Sequence, residues 1–197
     1  VVALSFEGDK AHLLSLGSIA TPQPGVLSDN DIDLEAVSQA NKKLLSAAKI
    51  SEREVALALP ESKIFTRVID DLPYLTNQEL DSAIRYASEE FIPLPITEVN
   101  LNWQVIYRGN KGEKGAKTVV FVVASPKNLV NKYMKTVLLA GLKPKLMETE
   151  VIAFTRALVG NNPFSPTTLI IQMGASNTDC AVVSKGMIWL TRSIATG

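Results

Sequence analysis

The hydrophobic pattern in the last third of the chain predicts three consecutive β-strands. The apolar run at 169–171 is typical of a strand that is buried on both faces, and residues 178–183 and 187–195 read as two further strands. Turns of small and polar residues at 174–177 and 184–186 separate these strands. We therefore expect this stretch to fold as an antiparallel meander.

Earlier in the chain, two-residue and 3.6-residue hydrophobic periods alternate, which indicates mixed α/β structure. Residues 54–147 are expected to close as one α+β unit between the first elements and the final meander. The predicted strands lie at 1–6 and 12–19, joined by the turn Glu7-Gly8-Asp9-Lys10, and at 54–59, 64–72, 99–107, 116–124 and 143–147. The predicted helices are 32–48 with Asp31 as its cap, 76–91 with a Thr76–Glu79 capping box, a helix that starts at Ser125-Pro126 and ends at Gly141, and 149–159, followed by a polar loop at 161–166.

Composition narrows the class of protein. The chain has 197 residues, of which 46% are hydrophobic and 20% charged, with a net charge of zero. A neutral chain argues against nucleic acid or an anionic membrane surface as a partner that is recognised by bulk charge. A single cysteine, Cys180, excludes an internal disulfide and favours the cytoplasm. Because Val1–Phe6 begins within a strand, we expect the chain to be a piece of a longer protein.

Candidate chemistry is concentrated in the turn between the first two strands of the meander. Gly174, Ala175, Ser176, Asn177 and Thr178 are small or polar, so their N–H and hydroxyl groups suit a phosphate. The same pattern also serves an ordinary hairpin turn, and both readings stay open from the residues alone.

Other polar positions suggest no catalytic or metal site. His12 is the only histidine and is expected to be an exposed strand residue. Gly109–Gly115 combines glycines with lysines, but a strand rather than a helix follows it, so we interpret it as a hairpin tip. The adjacent acids Asp70-Asp71 and Glu89-Glu90 are interpreted as solvated charges or capping residues.

Several short segments carry a resemblance to a known family. They are Leu57–Arg67, Ile84-Arg85-Tyr86, Phe91–Pro95, Glu98–Ile106, Glu150 with Ala153, Arg156-Ala157-Leu158 and Thr191–Ile194. The most specific are an Ile-Pro-Leu-Pro run and an Asn-Leu-Asn-Trp-Gln-Val-Ile strand. In these segments, and over essentially the whole chain, the sequence resembles the PilM family of type IV pilus assembly proteins.

The resemblance implies an actin-like ATPase fold similar to that of the cell-division protein FtsA. In this fold a ribonuclease-H-like half-domain is interrupted by a strand–helix–strand–strand subdomain. The resemblance assigns residues 1–50 and 148–166 to the core, 51–147 to the insert, and 167–197 to the start of the second half. It also implies that the first hairpin and the final meander pair in one sheet.

By resemblance, residues 174–178 form the second phosphate loop of an ATP site, with Glu150 facing the nucleotide. Gln172 stands where the family has an aspartate that helps to hold the magnesium shell, and a neutral amide brings no charge to Mg²⁺. The family's first phosphate loop precedes Val1 and its adenine-binding half follows Gly197. We therefore expect slow or absent hydrolysis and no measurable ATP or magnesium bound to residues 1–197.

The resemblance also implies a partner and a place in the cell. The expected function is that of a cytoplasmic scaffold at the inner face of the inner membrane, which binds the cytoplasmic N-terminal tail of a PilN-like membrane protein in a groove between the inserted subdomain and the core. Three alternatives remain open: an ATP-hydrolysing actin-like protein, an FtsA-like membrane tether of cell division, and a component of type II secretion similar to GspL.

Overall fold

The computed structural model describes residues 1–8, 10–160 and 162–197, so the predicted turn at Asp9 and the start of the predicted loop at Asn161 lie outside the described residues. The strands are β1 Val2–Glu7, β2 Lys10–Leu16, β3 Glu54–Leu59, β4 Phe65–Pro73, β5 Val99–Arg108, β6 Lys117–Pro126, β7 Lys143–Thr149, β8 Thr168–Met173, β9 Thr178–Ser184 and β10 Met187–Ile194. The helices are α1 Asp31–Ala47, α2 Asn77–Ser88, α3 Lys127–Leu139 and α4 Glu150–Leu158, with 3₁₀ turns at Glu61–Lys63 and Ile96–Glu98.

The chain folds as two compact units. The first contains Val1–Leu57 and Asn128–Met147. In it the β1–β2 hairpin is antiparallel, and α1 and α3 contribute to one apolar cluster. That cluster consists of Leu45, Ile50, Val137, Ala140 and Leu142. Helix α1 begins one residue earlier than predicted, because the side chain of Asn30, rather than Asp31, accepts the capping hydrogen bond from Ile32 N at 3.0 Å.

The second unit contains Ala58–Lys127 and Glu148–Gly197. Its first layer is the antiparallel sheet β4–β6–β5, which packs against α2. The order strand, helix, strand, strand along β4, α2, β5 and β6 agrees with the predicted insert. The Thr76–Glu79 capping box is present at the start of α2, and the loop at 109–115 is the hairpin tip between β5 and β6.

The second layer of this unit is the meander β8–β9–β10, which packs against α4. Its three strands agree with the prediction, but β8 is not buried on both faces. Leu169 and Ile171 are 61% and 55% exposed, because only one face of this sheet is covered in the described part of the chain. A continuous buried run is found instead in β6, at residues 118–122.

Two further expectations are wrong. Ser125-Pro126 was predicted to start α3, but β6 continues through Pro126 and the helix begins at Lys127, since both residues pair with β5. We also expected the first hairpin to share a sheet with the meander. Among the described strands, β1 and β2 form their own two-stranded sheet and β8–β10 form another.

The domain boundaries at 51–147 and 167–197 come from the family resemblance and stay a prediction. The two compact units are defined by their internal contacts, so they do not test these boundaries. Within the described residues, none of the helices has the length and apolar character needed to cross a bilayer.

Candidate functional site

The predicted phosphate loop is the tight connection between β8 and β9. Gly174 N donates a hydrogen bond to Asn177 O at 2.9 Å and closes the hairpin. A Cβ atom at Gly174 would lie 2.9 Å from the same oxygen, which is closer than a side chain tolerates. Glycine is therefore required here by the turn itself, whether or not a ligand is present.

Polar groups of the loop also bind the rest of the second unit. The Thr178 hydroxyl donates to Thr196 O at 2.7 Å, and Asn177 Nδ2 donates to the Ser62 hydroxyl at 3.4 Å. Ala175 and Ser176 at the tip are exposed. The structure thus brings the five predicted residues together in one loop, and the phosphate-binding role assigned to them remains a prediction.

A buried aspartate lies directly beside this loop. Asp179 is the cross-strand neighbour of Gln172, so both side chains point to the same face of the sheet. Gln172 is exposed, whereas Asp179 is 5% exposed and its Oδ1 has no hydrogen-bond partner among the described residues. The structure therefore places a carboxylate next to Gln172, the position at which the resemblance implies an aspartate.

A second buried acid, Glu61, belongs to the same cluster. It is 4% exposed in the 3₁₀ turn after β3, and its Oε2 also has no partner in the described part of the chain. Burial raises the pKa of Glu61, the hydroxyls of Thr191 and Thr149 oppose this rise by hydrogen bonding, and the charge of Asp179 adds to it.

Glu150, the acid assigned to the nucleotide side, is the first residue of α4. The Thr149 hydroxyl caps this helix by accepting from Ile152 N at 3.2 Å. Burial raises the pKa of the Glu150 carboxyl, and the charge of Asp179 raises it further. Glu61 and Glu150 are thus both within electrostatic range of Asp179, and the three acids form one polar cluster.

The cluster offers carboxylate oxygens to a cation but not a complete set of ligands. Carboxylate oxygens are the ligands that Mg²⁺ prefers, and Mg²⁺ is commonly held by one or two carboxylates together with phosphate oxygens. The unpartnered Asp179 Oδ1 is a ligand of this kind. However, no group of three or more His, Cys, Asp or Glu residues among residues 1–8, 10–160 and 162–197 is arranged to hold a metal ion by itself.

Sequence reasoning missed Asp179 and Glu61. Asp179 was read as part of a strand, although an acid that leads into an apolar strand, ahead of Ala181 and Val183, is a usable signal. Glu61 follows Pro60 in a segment that looks like a surface turn, so no local pattern marks it as buried.

A groove of about 620 Å³ adjoins the cluster, between β4 and β10. Glu61 and Thr66 line it, and a hydrogen bond between the Thr66 and Thr191 hydroxyls bridges the two strands. Arg67 and Arg192 also line the groove. The groove is thus lined by two cationic side chains and one buried acid.

Comparison with known proteins identifies the family. The family described as type IV pilus assembly protein PilM matches residues 1–197. Among solved structures, the chain is similar to a chain of the PilM–PilN type IV pilus biogenesis complex, with 26% identity and a TM-score of 0.80. That similarity covers 98% of this chain and 57% of the other, so the chain spans little more than half the length of that relative.

Two further structures are more distant. One is the cytoplasmic domain of EpsL, an inner membrane component of the type II secretion system of Vibrio cholerae. It has 13% identity and a TM-score of 0.61, and the similarity covers 98% of this chain and 64% of that one. At this identity the similarity shows the fold alone. A Bacteroides thetaiotaomicron protein of unknown function with an actin-like ATPase fold has 9% identity and a TM-score of 0.40, covering 81% and 55%, too distant to support an argument.

The mixed α/β fold class predicted from the sequence is confirmed, and so is the family that the motifs suggested. Because the match extends from the first residue to the last, the chain belongs to the family of type IV pilus assembly protein PilM.

Proposed function

We propose that this chain acts in type IV pilus assembly by binding the cytoplasmic N-terminal tail of a PilN-like inner-membrane protein. The observation that carries the proposal is the family match over residues 1–197, together with the TM-score of 0.80 to a chain of the PilM–PilN complex. The protein would then be a cytoplasmic scaffold that is held at the inner face of the inner membrane through its partner.

The experiment is a calorimetric titration of residues 1–197 with a synthetic peptide that corresponds to the N-terminal cytoplasmic tail of PilN from the same genome. We expect saturable binding with a dissociation constant of about 1–100 μM, the range of a short extended peptide on one groove. A peptide of the same composition in scrambled order is the control. No heat with the native peptide at high micromolar concentration would contradict the proposal.

The proposal also includes nucleotide binding by the intact family protein. In the intact family protein the 174–178 loop would face the phosphates, with Glu150 and Asp179 supplying negative charge towards a magnesium ion. Magnesium would neutralise phosphate charge when bound. Gln172 adds no charge, so the proposed role is nucleotide binding with slow or absent hydrolysis.

For residues 1–197 alone, we expect no retention of a fluorescent ATP analogue at low micromolar concentration, with or without Mg²⁺. The reason is that Gly174 N and the Thr178 hydroxyl already bond within the chain. Fluorescence anisotropy measures this directly. Tight, magnesium-dependent retention would show that the loop is a working phosphate site and would favour the ATP-hydrolysing alternative.

A further inference from the structure

Strand β5 leaves one edge of its sheet unpaired. Among the described strands it pairs with β6 alone, so the backbone groups along its other side have no ladder partner. The pairing with β6 is regular from Val99 to Val105, and the register shifts only between Val105 and Tyr107. Residues 99–105 therefore form a continuous stretch of open edge.

The two edges of this sheet differ in charge. The edge at β4 carries the adjacent acids Asp70 and Asp71 in a β-bulge, a combination that keeps other strands from pairing there. Residues 99–107 of β5 contain neither a charged side chain nor a proline. Over its regular stretch, β5 thus lacks the features with which proteins protect an exposed edge.

The side chains of β5 suit a neighbouring strand on both faces. On one face Leu101, Trp103 and Val105 pack against the core below α2 but remain partly exposed. On the other face Asn102 and Gln104 are exposed amides. An added strand would cover the remaining apolar area on the first face and offer hydrogen bonds to the amides on the second.

The sequence of β5 is complementary to itself in the antiparallel direction. When two copies of the strand are centred on Asn102, amides lie opposite amides and apolar side chains lie opposite apolar side chains. The cross-strand pairs are Asn102 with Asn102, Asn100 with Gln104, Leu101 with Trp103 and Val99 with Val105. Like charges do not meet in these pairs, because residues 99–105 are uncharged.

Charges at the two ends of β5 favour the same direction. Glu98 directly precedes the strand and Arg108 ends it. Neither side chain takes part in an ion pair among the described residues. In an antiparallel pair the acidic end of each strand lies near the basic end of the other, whereas a parallel pair would bring like charges together.

We propose that two copies of this chain pair through β5, antiparallel and about a twofold axis at Asn102, so that two three-stranded sheets join into one continuous sheet. A contact made mainly by one strand pair is smaller than a standard interface of about 800 Å² per partner, so the dimer is weak, with a Kd of about 10–100 μM. The inference goes beyond the proposed function and does not depend on it.

The first test measures self-association by sedimentation equilibrium of residues 1–197 at concentrations of about 5–500 μM. Asn102→Lys places two like charges opposite each other at the axis and is expected to weaken the dimer about tenfold or more. The control is Asn131→Lys, the same substitution at an exposed position on α3. Circular dichroism checks that both variants keep the fold.

The second test uses a cysteine to report the register. Asn102→Cys and, as the control, Asn131→Cys are each made in a Cys180→Ser background, which removes the native thiol. Opposed residues of an antiparallel pair have Cα atoms about 4.5–5.5 Å apart, a distance that a disulfide spans. With copper–phenanthroline as the oxidant, Asn102→Cys is expected to form a disulfide-linked dimer about tenfold faster than the control, because the dimer holds its two thiols together.

Ile171→Lys distinguishes this edge from the exposed apolar face of the meander. Weakening confined to Asn102→Lys, together with fast crosslinking at residue 102, supports the β5 dimer. A chain that stays monomeric at every concentration contradicts it. A dimer that Ile171→Lys weakens and Asn102→Lys leaves intact also overturns the proposal, as does crosslinking at residue 102 that is no faster than in the control.

Discussion

The two layers of the second unit differ in how completely their sheets are covered. In the β4–β6–β5 layer, Leu80 and Ile84 of α2 are 0% exposed against the sheet. In the meander, Val151 of α4 is 0% exposed on one face, while Leu169 and Met173 on the other face are 61% and 81% exposed. One layer therefore completes its own core, and the other has an apolar face without cover in the described part of the chain.

The strand β6 accounts for much of this difference. Val120 and Val122 point towards α2, and Phe121 between them joins the cluster that contains Val151 and Ile170. Because α2 covers one face of β6 and the cluster with Val151 and Ile170 covers the other, both of its faces are buried. Strand β8 has a similar apolar pattern, but only one of its faces is covered in the described part of the chain. A continuous apolar run thus predicts a strand, whereas the layers packed on its two faces decide how much of it is buried.

The largest expected effect comes from the core below α2. Leu80→Ala should lower the free energy of unfolding by about 2–5 kcal/mol, because it removes a fully buried side chain and leaves a cavity. Leu169→Ala in the meander removes the same atoms from an exposed position and should cost less than about 1 kcal/mol. Urea denaturation of both variants measures the difference. Equal losses would mean that the meander face is covered in solution.

The next effect concerns the buried carboxylate of Glu61. Its folded-state pKa is raised, so its contribution to stability is full below the ordinary pKa of a glutamate and is lost as the pH rises through the folded pKa. Glu61→Gln removes this contribution. As the pH rises from acidic to neutral, we expect the free energy of unfolding of the unmodified chain to fall relative to that of the variant. Urea titrations over this range that stay parallel would contradict the prediction.

A smaller effect is expected at the hairpin between β8 and β9. Gly174→Ala places a Cβ against Asn177 O and should cost about 1–3 kcal/mol through this steric clash. Ser176→Ala at the exposed tip of the same loop is the control and should change stability by less than about 0.5 kcal/mol. Thermal denaturation distinguishes the two. An unaffected Gly174→Ala variant would show that the loop relaxes readily.

The smallest effect is expected at the start of α2. Thr76→Ala removes the hydroxyl that accepts from Glu79 N and should cost about 1 kcal/mol. Ser82→Ala, at an exposed position in the same helix, lacks a capping role and serves as the reference. The difference in urea midpoint between the two variants is the measurement. Loss of the cap should leave the meander unchanged, which hydrogen exchange of β9 would verify.

The local elements could be read from the sequence because their causes are local. The strand–helix–strand–strand order, the Thr76–Glu79 capping box and the 174–178 turn each depend on residues within one turn or one strand. The cap of α1 was misplaced by one residue, because Asn30 and Asp31 are both good capping residues and backbone geometry chooses between them. The start of α3 was misplaced because pairing with β5 extends β6 through Pro126.

The candidate site could be predicted only in part. The small and polar residues of the loop are adjacent in the sequence, so they could be found together. Asp179 and Glu61 are far apart in the chain and meet only because β9 and the turn after β3 pack in the same unit.

The sequence by itself determined the mixed α/β class, the individual helices and strands and the family, since hydrophobic period, capping chemistry and short motifs are written in neighbouring residues. Only the tertiary structure decided which strands share a sheet, which acids are buried and which edge remains open. These depend on contacts between distant segments, whose free energy is gained only when the whole unit packs.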